Sequence, residues 1–348
     1  MKKVLAVVLA MMMVLSATAA FAAEYEIVSK GFQHQYWQAV LKGAEKKAEE
    51  LGVEINFVGP ANESAYDEQL SQLNSAINAA PKAIGLAALS TETCLDAIKD
   101  AQSKNIPIIG FDSGVPGAPE GAILANCATN NYNAGALAAE KVWEAIADRV
   151  AAAEGTVRIG VSAQDAVSES VTQRGLGFID KIGELAAAAG YTVKLEGNEA
   201  YVNGAKVESV DDGKIVIETL VPSQVTAELS ANDCAALLNK DDIVALYGSN
   251  QHSAEAMVTA NENLQVLGTG EGDVIGAGFD SGAVIKAAVA DGTFLGAITQ
   301  APFAMGEALV DTMVKAANGE AVEDIDTGCQ WYTAENMNDE DIAINLYD

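Results

Sequence analysis

Two carboxylates, Asp112 and Asp280, stand in the same pattern, Gly-Phe-Asp-Ser-Gly, once in each half of this 348-residue chain. An ionised carboxylate accepts two or more hydrogen bonds, an amide both donates and accepts, and a guanidinium donates a fork of them. Asn250, Gln300, Arg174, His34 and Ser113 complete such a set, and Tyr36 and Trp37 add two aromatic planes. Together they suit a small polyhydroxylated molecule, whose hydroxyls need acceptors and donors and whose C–H faces need apolar walls. Each residue also has an ordinary reading. An Asp after a strand caps helices, Tyr36 and Trp37 fit the apolar face of a helix, and Arg174 fits a solvated surface. Arg174 is the one cation that the sequence places near this acid and amide set.

The same residues argue against several chemistries. His34 and His252 are the only histidines, and neither has a second His or a Cys at metal-ligand spacing, so neither a metal nor another cofactor is expected. There is no Gly-x-Ser-x-Gly elbow. The run Gly268-Thr269-Gly270-Glu271-Gly272 precedes a predicted strand instead of following one and carries no Lys, which sets aside a phosphate loop. Asp112 and Asp280 as the acid and base of a glycosidase would be an enzyme's use of two carboxylates. No nucleophile constellation accompanies them, and no catalytic residue is assigned.

The elements that must position these residues alternate. Tyr25 to Ser29 reads as a strand, Tyr36 to Leu51 as an amphipathic helix stopped by Gly52, and Val53 to Val58 as a returning strand. The cycle continues through strands at Ala83 to Ala88 and Pro107 to Phe111, and a second series starts near Tyr132 and Thr156. This order predicts an α/β chain with parallel sheets covered by helices on both faces. In such sheets ligands bind beyond the carboxyl ends of the strands, where the chemistry-bearing residues recur. One segment breaks the rhythm. Asn198 to Glu218 alternates apolar residues around Asn203-Gly204 and Asp212-Gly213, which predicts a β-hairpin insertion at about 198–218.

Met1-Lys2-Lys3, the apolar run Val4 to Leu15 and Ala20-Phe21-Ala22 form the three parts of a cleaved secretory signal peptide, residues 1–22. That places the chain in the periplasm or another extracytoplasmic space, with no Cys at the cleavage region for a lipid anchor. The remaining residues exceed one core's usual size, which predicts two domains. The formal charge is −29, and −31 without Lys2 and Lys3, which disfavours nucleic acid and anionic membranes as partners. Cys94, Cys127, Cys234 and Cys329 allow two disulfides in three pairings or four ordinary thiols.

Gly31 to Gly43, Pro107-Ile108-Ile109-Gly110-Phe111-Asp112, Ala128-Thr129-Asn130-Asn131, Arg174-Gly175 with Gly177-Phe178, Asn250, Gly278-Phe279-Asp280 and Thr299-Gln300 resemble, in order, the ribose-type periplasmic sugar-binding proteins of ABC importers. The resemblance spans nearly the whole chain after residue 22. It implies the type I periplasmic binding protein fold: two Rossmann-like doubly wound lobes joined by a three-crossing hinge that closes on one sugar. The lobes would be 23–128 plus 302–330 and 129–301 plus 331–348, with crossings near Ala128 to Asn130, Gln300 to Pro302 and Gln330. It also implies that Tyr36 and Trp37 stack on the sugar and that His34 occupies a polar contact. Asp112 would accept from hydroxyls, Arg174, Asn250 and Asp280 would bind from the second lobe, and Gln300 would touch both ligand and hinge. The implied partners are a monosaccharide or sugar alcohol, the membrane subunits of an ABC permease and a chemoreceptor, with the chain a monomer. Ser113, where ribose-type members commonly carry Arg, and His34, where they carry Asn, leave the ribose pattern. The ligand alternatives are a signalling furanone or a nucleoside. The same fold also serves sugar-responsive transcription regulators, which need a helix-turn-helix and a basic surface that this sequence does not offer.

Overall fold

The computed structural model describes residues 23–348; the signal peptide expected at 1–22 lies outside the described residues. The first series runs β1 (Tyr25–Val28), α1 (Gln35–Leu51), β2 (Ile55–Val58), α2 (Tyr66–Asn78), β3 (Ala83–Leu86), α3 (Leu95–Ser103), β4 (Ile108–Phe111) and β5 (Ile123–Ala128). The second runs α4 (Asn131–Ala152), β6 (Val157–Ser162), α5 (Glu169–Ala188), β7 (Val193–Gly197), α6 (Glu199–Gly204), β8 (Ile215–Leu220), α7 (Ala227–Leu238), β9 (Ile243–Gly248), α8 (Gln251–Leu264), β10 (Ile275–Phe279), α9 (Ala283–Ala290) and β11 (Phe294–Gln300). The chain closes with α10 (Pro302–Ala317), β12 (Ile325–Asp326), β13 (Cys329–Tyr332) and α11 (Glu340–Ala343).

Two sheets result, ordered β12-β5-β4-β3-β1-β2 and β13-β11-β10-β9-β6-β8-β7. Every pairing is parallel except β11 with β13. The strand sequences explain this. β1, β3, β4 and β9 are buried along their whole length, and β3, β4 and β9 are apolar runs rather than alternating ones, as strands covered by helices on both faces must be. Each sheet carries its own core, around Ile27, Ile109 and Phe111 in the first lobe and around Ile159, Ile217 and Phe279 in the second.

The chain passes between the lobes three times. β5 of the first sheet leads into α4, which packs in the second core through Ala134, Ala138 and Val142. β11 of the second leads into α10, which packs in the first core through Met305, Leu309 and Met313. The third passage lies between β12 and β13, at Thr327 and Gly328, two residues before the Gln330 expected from the sequence. The Thr327 N–H donates to the Ala128 carbonyl, so the first and third passages run side by side.

Glycines bring two helix pairs to backbone contact. A Cβ at Gly43 of α1 would strike the Phe303 carbonyl of α10, and one at Gly135 of α4 would strike the Arg174 carbonyl of α5. The second contact holds the α5 backbone where Arg174 turns inward.

The hairpin expected at 198–218 does not form. Glu199–Gly204 is helical, and β7 pairs with β8 in parallel from Val193↔Ile215 to Gly197↔Thr219. A two-residue turn reverses the chain, whereas parallel neighbours need a crossover of a dozen or more residues. The segment supplies that crossover and adds β7 to the sheet edge. All four cysteines are free thiols; burial pushes Cys94 and Cys127 up to about 11 and Cys234 up to about 12.

Candidate functional site

The carboxyl ends of both sheets face one cavity of about 560 Å³. Its inner wall is Lys30, Tyr36, Asp112, Arg174, Asn250, Asp280 and Gln300; Phe32, Glu63, Val225, His252 and Glu255 contribute to the rest of the lining. The volume falls in the range of about 300–1,000 Å³ that small-molecule sites occupy.

Both aspartates follow the last residue of a central strand with the backbone in the left-handed region, φ 58° at Asp112 and 72° at Asp280. That conformation costs a side-chain-bearing residue about 1–2 kcal/mol, least for Asn and Asp, and it turns each carboxylate from the strand line into the cleft. Neither caps a helix of its own: α9 begins after Gly282, and Asp112 leads into a loop.

A polar chain joins the lobes. The Lys30 ammonium pairs with Asp112 Oδ2 at 3.0 Å, and the Tyr36 hydroxyl donates to Asp112 Oδ1 at 2.9 Å, with Gln300 Oε1 at 3.4 Å. Gln300 Nε2 donates to Asp280 Oδ1 at 2.6 Å, and Asp280 Oδ2 lies 3.6 Å from the Arg174 guanidinium. Arg174 stacks 3.9 Å above the Phe279 ring and donates through Nε to Asn131 Oδ1, while Asn131 donates to the Asp112 carbonyl. Gln300, at the end of β11 where the chain crosses, thus touches both carboxylate systems.

The electrostatics follow from burial. Desolvation lowers the tendency of Lys30 to stay charged, but Asp112, aided by Glu63, overcomes it, and the ammonium stands above the ordinary lysine value. Burial pushes Asp280 above the usual carboxylate range, against the opposing pull of Arg174 and the Gln300 hydrogen bond. His252, held by Ser230 at 2.8 Å, is lowered from the ordinary histidine value by burial.

The sequence-predicted residues converge with one exception and several changes of role. His34 caps α1, its Nδ1 accepting from the Tyr36 N–H at 3.3 Å, and also lines the cavity. Asn250 likewise caps α8 through Ser253 and donates to Gln164 Oε1 at 2.9 Å. Tyr36 presents its hydroxyl to Asp112. Trp37 is part of the wall, but its indole is packed edge-on against Tyr36 and Phe111, and its N–H donates to Glu63 at 2.8 Å. Both rings therefore serve the helix's apolar face as well as the cavity. Ser113 is the exception: it does not line the cavity, and its hydroxyl lies 3.4 Å from Ser168 and accepts from the Ser170 N–H in the second lobe.

Arg174 is not the lone cation. Lys30 was missed because a Lys after a strand reads as a surface charge. The signal was its position, two residues past β1, the strand-end placement that marks Asp112 and Asp280. Its ammonium also contacts the hydroxyls of Ser168 at 3.3 Å and Ser170 at 3.0 Å across the cleft. The second-lobe segment Asp165 to Ser170, which runs into the start of α5, meets the first lobe further through Thr91 N–H to the Val167 carbonyl and Gly114 N–H to Glu169. Among the described residues, no group of three or more His, Cys, Asp or Glu is arranged to hold a metal ion, and no helix is long and apolar enough to cross a membrane.

What this arrangement offers a ligand is a set of fixed acceptors and donors, most of them on buried side chains. Asp112 Oδ2 and Gln251 Oε1 are buried acceptors with no hydrogen-bond donor from the protein beyond the ion-paired Lys30.

Residues 25–321 match the model of the periplasmic binding protein domain family. A ribose import binding protein of Haemophilus influenzae is 23% identical over 330 residues, 93% of this chain and 96% of that protein. Among solved structures, a protein of Brachyspira murdochii described as an ABC transporter, LacI family transcriptional regulator, superposes with a TM-score of 0.80 at 35% identity, covering 93% of this chain and 98% of that one. An ABC transporter solute binding protein of Agrobacterium vitis with bound D-fucose superposes with a TM-score of 0.76 at 27% identity, covering 93% and 99%.

Proposed function

The chain belongs to the periplasmic binding protein domain family, and from that premise we propose that it is the exported solute receptor of an ABC importer. It captures a monosaccharide or sugar alcohol between its lobes and delivers it to the membrane permease. The observation that carries this reading is the polar chain from Lys30 through Asp112, Tyr36, Gln300 and Asp280 to Arg174, laid across one cavity at the strand ends of both lobes.

The ligand sits between the lobes and contacts Asp112 from one side and Asp280, Arg174 and Asn250 from the other. Since both sets are met only when the lobes are together, binding favours the closed state by its differential contacts. The segment Asp165 to Ser170 supports the same closure through Lys30 and Ser113. The protein acts as a binder without turnover, as a monomer in the periplasm or its equivalent, after removal of residues 1–22. The net charge and the strand-end cavity favour this over the regulator's name carried by the Brachyspira neighbour.

Thermal stability across D-ribose, D-fucose, D-galactose, D-glucose, xylitol and myo-inositol tests the reading. A ligand at 100 times its dissociation constant adds about 2.7 kcal/mol of stability. A rise in Tm with at least one of these compounds is expected; no rise with any sugar or polyol overturns it. Native mass spectrometry of the purified protein identifies any compound that stays bound.

A further inference from the structure

The segment Asn345–Asp348 lies outside the cavity lining, yet it ends at the back of the site. Its backbone is fastened to the turn that presents Asp280. The Gly282 N–H donates to the Tyr347 carbonyl at 2.9 Å, and the Tyr347 N–H donates to the Ser281 hydroxyl at 2.9 Å. The Tyr347 hydroxyl lies 3.5 Å from the Ser281 N–H. One step earlier, Thr299 donates to the Asn345 carbonyl at 3.0 Å, next to Gln300, and Asn345 donates to Gln330 at 2.9 Å. Lys286 pairs with Asp348. All of these partners belong to the second sheet or its helices.

The side chains then part company. Leu346 packs against the second-lobe cluster around Met257 and Ile285, whereas the Tyr347 ring packs against the first-lobe cluster that holds Tyr36, Trp37 and Phe111. There it meets the Tyr36 ring edge-on at 5.9 Å between centroids and the His34 ring at 6.4 Å. Adjacent residues therefore enter different cores.

We infer that Tyr347 is a positioning residue of the site: it ties the left-handed Asp280 turn of the second lobe to the Tyr36 and His34 wall of the first. Gln300 at the second passage already links the Tyr36 hydroxyl to the Asp280 carboxylate through hydrogen bonds; the Tyr347 ring adds a packed tie between the Asp280 turn and the Tyr36 and His34 rings. A ring wedged edge-on between two aromatic groups has a defined geometry, and two backbone hydrogen bonds at Ser281 and Gly282 fix where its stem begins. Loss of the ring frees both ends at once: the turn loses its outer support, and the Tyr36 hydroxyl loses the packing that aims it at Asp112.

Amide hydrogen exchange on the protein without added sugar tests the tie directly. In Tyr347→Ala, exchange rises at Ser281 and Gly282 in the second lobe and also at Tyr36 and Trp37 in the first; in Tyr347→Phe it stays as in the wild type at Tyr36 and Trp37. A rise confined to the second lobe overturns the inference. The binding arm rests on the receptor reading and uses whichever of D-ribose, D-fucose, D-galactose and myo-inositol the wild type binds most tightly. Tyr347→Ala is expected to weaken that affinity at least tenfold, chiefly through faster dissociation, and Tyr347→Phe by less than threefold. Equal affinity in Tyr347→Ala and wild type overturns the inference, while a wild type that binds none of the four counts against the receptor reading and leaves the exchange result to decide the tie. Should Tyr347→Ala fail to fold, Tyr347→Leu, which keeps bulk without the edge-on ring, carries the same predictions.

Discussion

The turns at Asp112 and Asp280 share their sequence, their left-handed aspartate and their place at a strand end, but they are held from different directions. Asp280 is built by its own lobe. Its N–H donates to Ile298, the Tyr332 hydroxyl donates to its carbonyl at 2.9 Å, the N–H of Gln251 donates to its carboxylate, and Arg174 is its cation. Asp112 has own-lobe partners in the Cys127 carbonyl, Tyr36 and Lys30, but it also leans on the neighbouring lobe. Asn131, at the start of α4, donates to its carbonyl at 3.3 Å, and its cation Lys30 is itself seated on Ser168 and Ser170. The same motif thus makes a half-site in the second lobe held by its own lobe and a half-site in the first lobe whose surroundings include residues of the second.

The largest effect expected from this difference is on stability without ligand. Arg174→Met removes the cation from Asp280, a buried carboxylate whose other partners lie in its own lobe, and breaking a buried pair costs about 3–5 kcal/mol. Lys30→Met removes the cation from Asp112, and if the lobes part as the proposed closure requires, water reaches that carboxylate. Urea unfolding should therefore show a smaller loss for Lys30→Met, with sugar affinity still falling at least tenfold. Equal destabilisation by the two variants would break the comparison.

The next effect is on pH dependence. Asp280 is pushed above the usual carboxylate range by burial, so the free folded protein holds a proton there at a pH where the unfolded chain has released it. Its contribution to stability therefore declines as pH rises between the ordinary carboxylate value and the raised one. A sugar hydroxyl donating to Asp280 favours the ionised form, so the sign for binding is opposite. Affinity is full above the raised value and falls as pH drops through it. Titration calorimetry across that interval should show this decline in the wild type and a flatter profile in Asp280→Asn; an unchanged profile would remove Asp280 from the contact.

The smallest effect sharpens the contrast. Ser170→Ala deletes one hydrogen bond to the Lys30 ammonium across the cleft, worth about 1.5–3 kcal/mol at most for a charged donor and less where water replaces it. A few-fold loss of sugar affinity with unchanged stability of the ligand-free protein is expected. A stability loss instead would mean that the lobes are already joined there without ligand.

Much of this was legible in the sequence because the fold is periodic. Apolar runs four to six residues long between amphipathic helices marked both sheets, and the repeated Gly-Phe-Asp-Ser located matching strand ends in two lobes. Asp112, Asn250, Asp280 and Gln300 converge because each parallel sheet delivers its strand ends to one edge, and Arg174 reaches them from the N-terminal part of α5. What stayed hidden has physical reasons. Asn203-Gly204 looked like a hairpin turn, but there Gly204 ends a helix, and local turn chemistry does not reveal that β8 pairs between β6 and β7. Lys30 was hidden because a charge is read as exposed until its counter-ion is known, and Asp112 lies 82 positions away. Ser113 follows a site residue yet faces the other lobe, since the left-handed backbone at Asp112 redirects the chain. Tyr347 carries no local signal at all; its role exists only through contacts with Tyr36 and Ser281.

The receptor reading requires that the two half-sites together bind one sugar or polyol. Equilibrium binding of D-ribose, D-fucose, D-galactose and myo-inositol to the wild type and to Asp112→Asn and Asp280→Asn tests it most directly, because Asn keeps the left-handed backbone and removes only the charge. The predicted result is saturable one-to-one binding of at least one compound, weakened at least tenfold, about 1.4 kcal/mol, in each variant. Absence of binding to all four, or wild-type affinity in both variants, would contradict the claim.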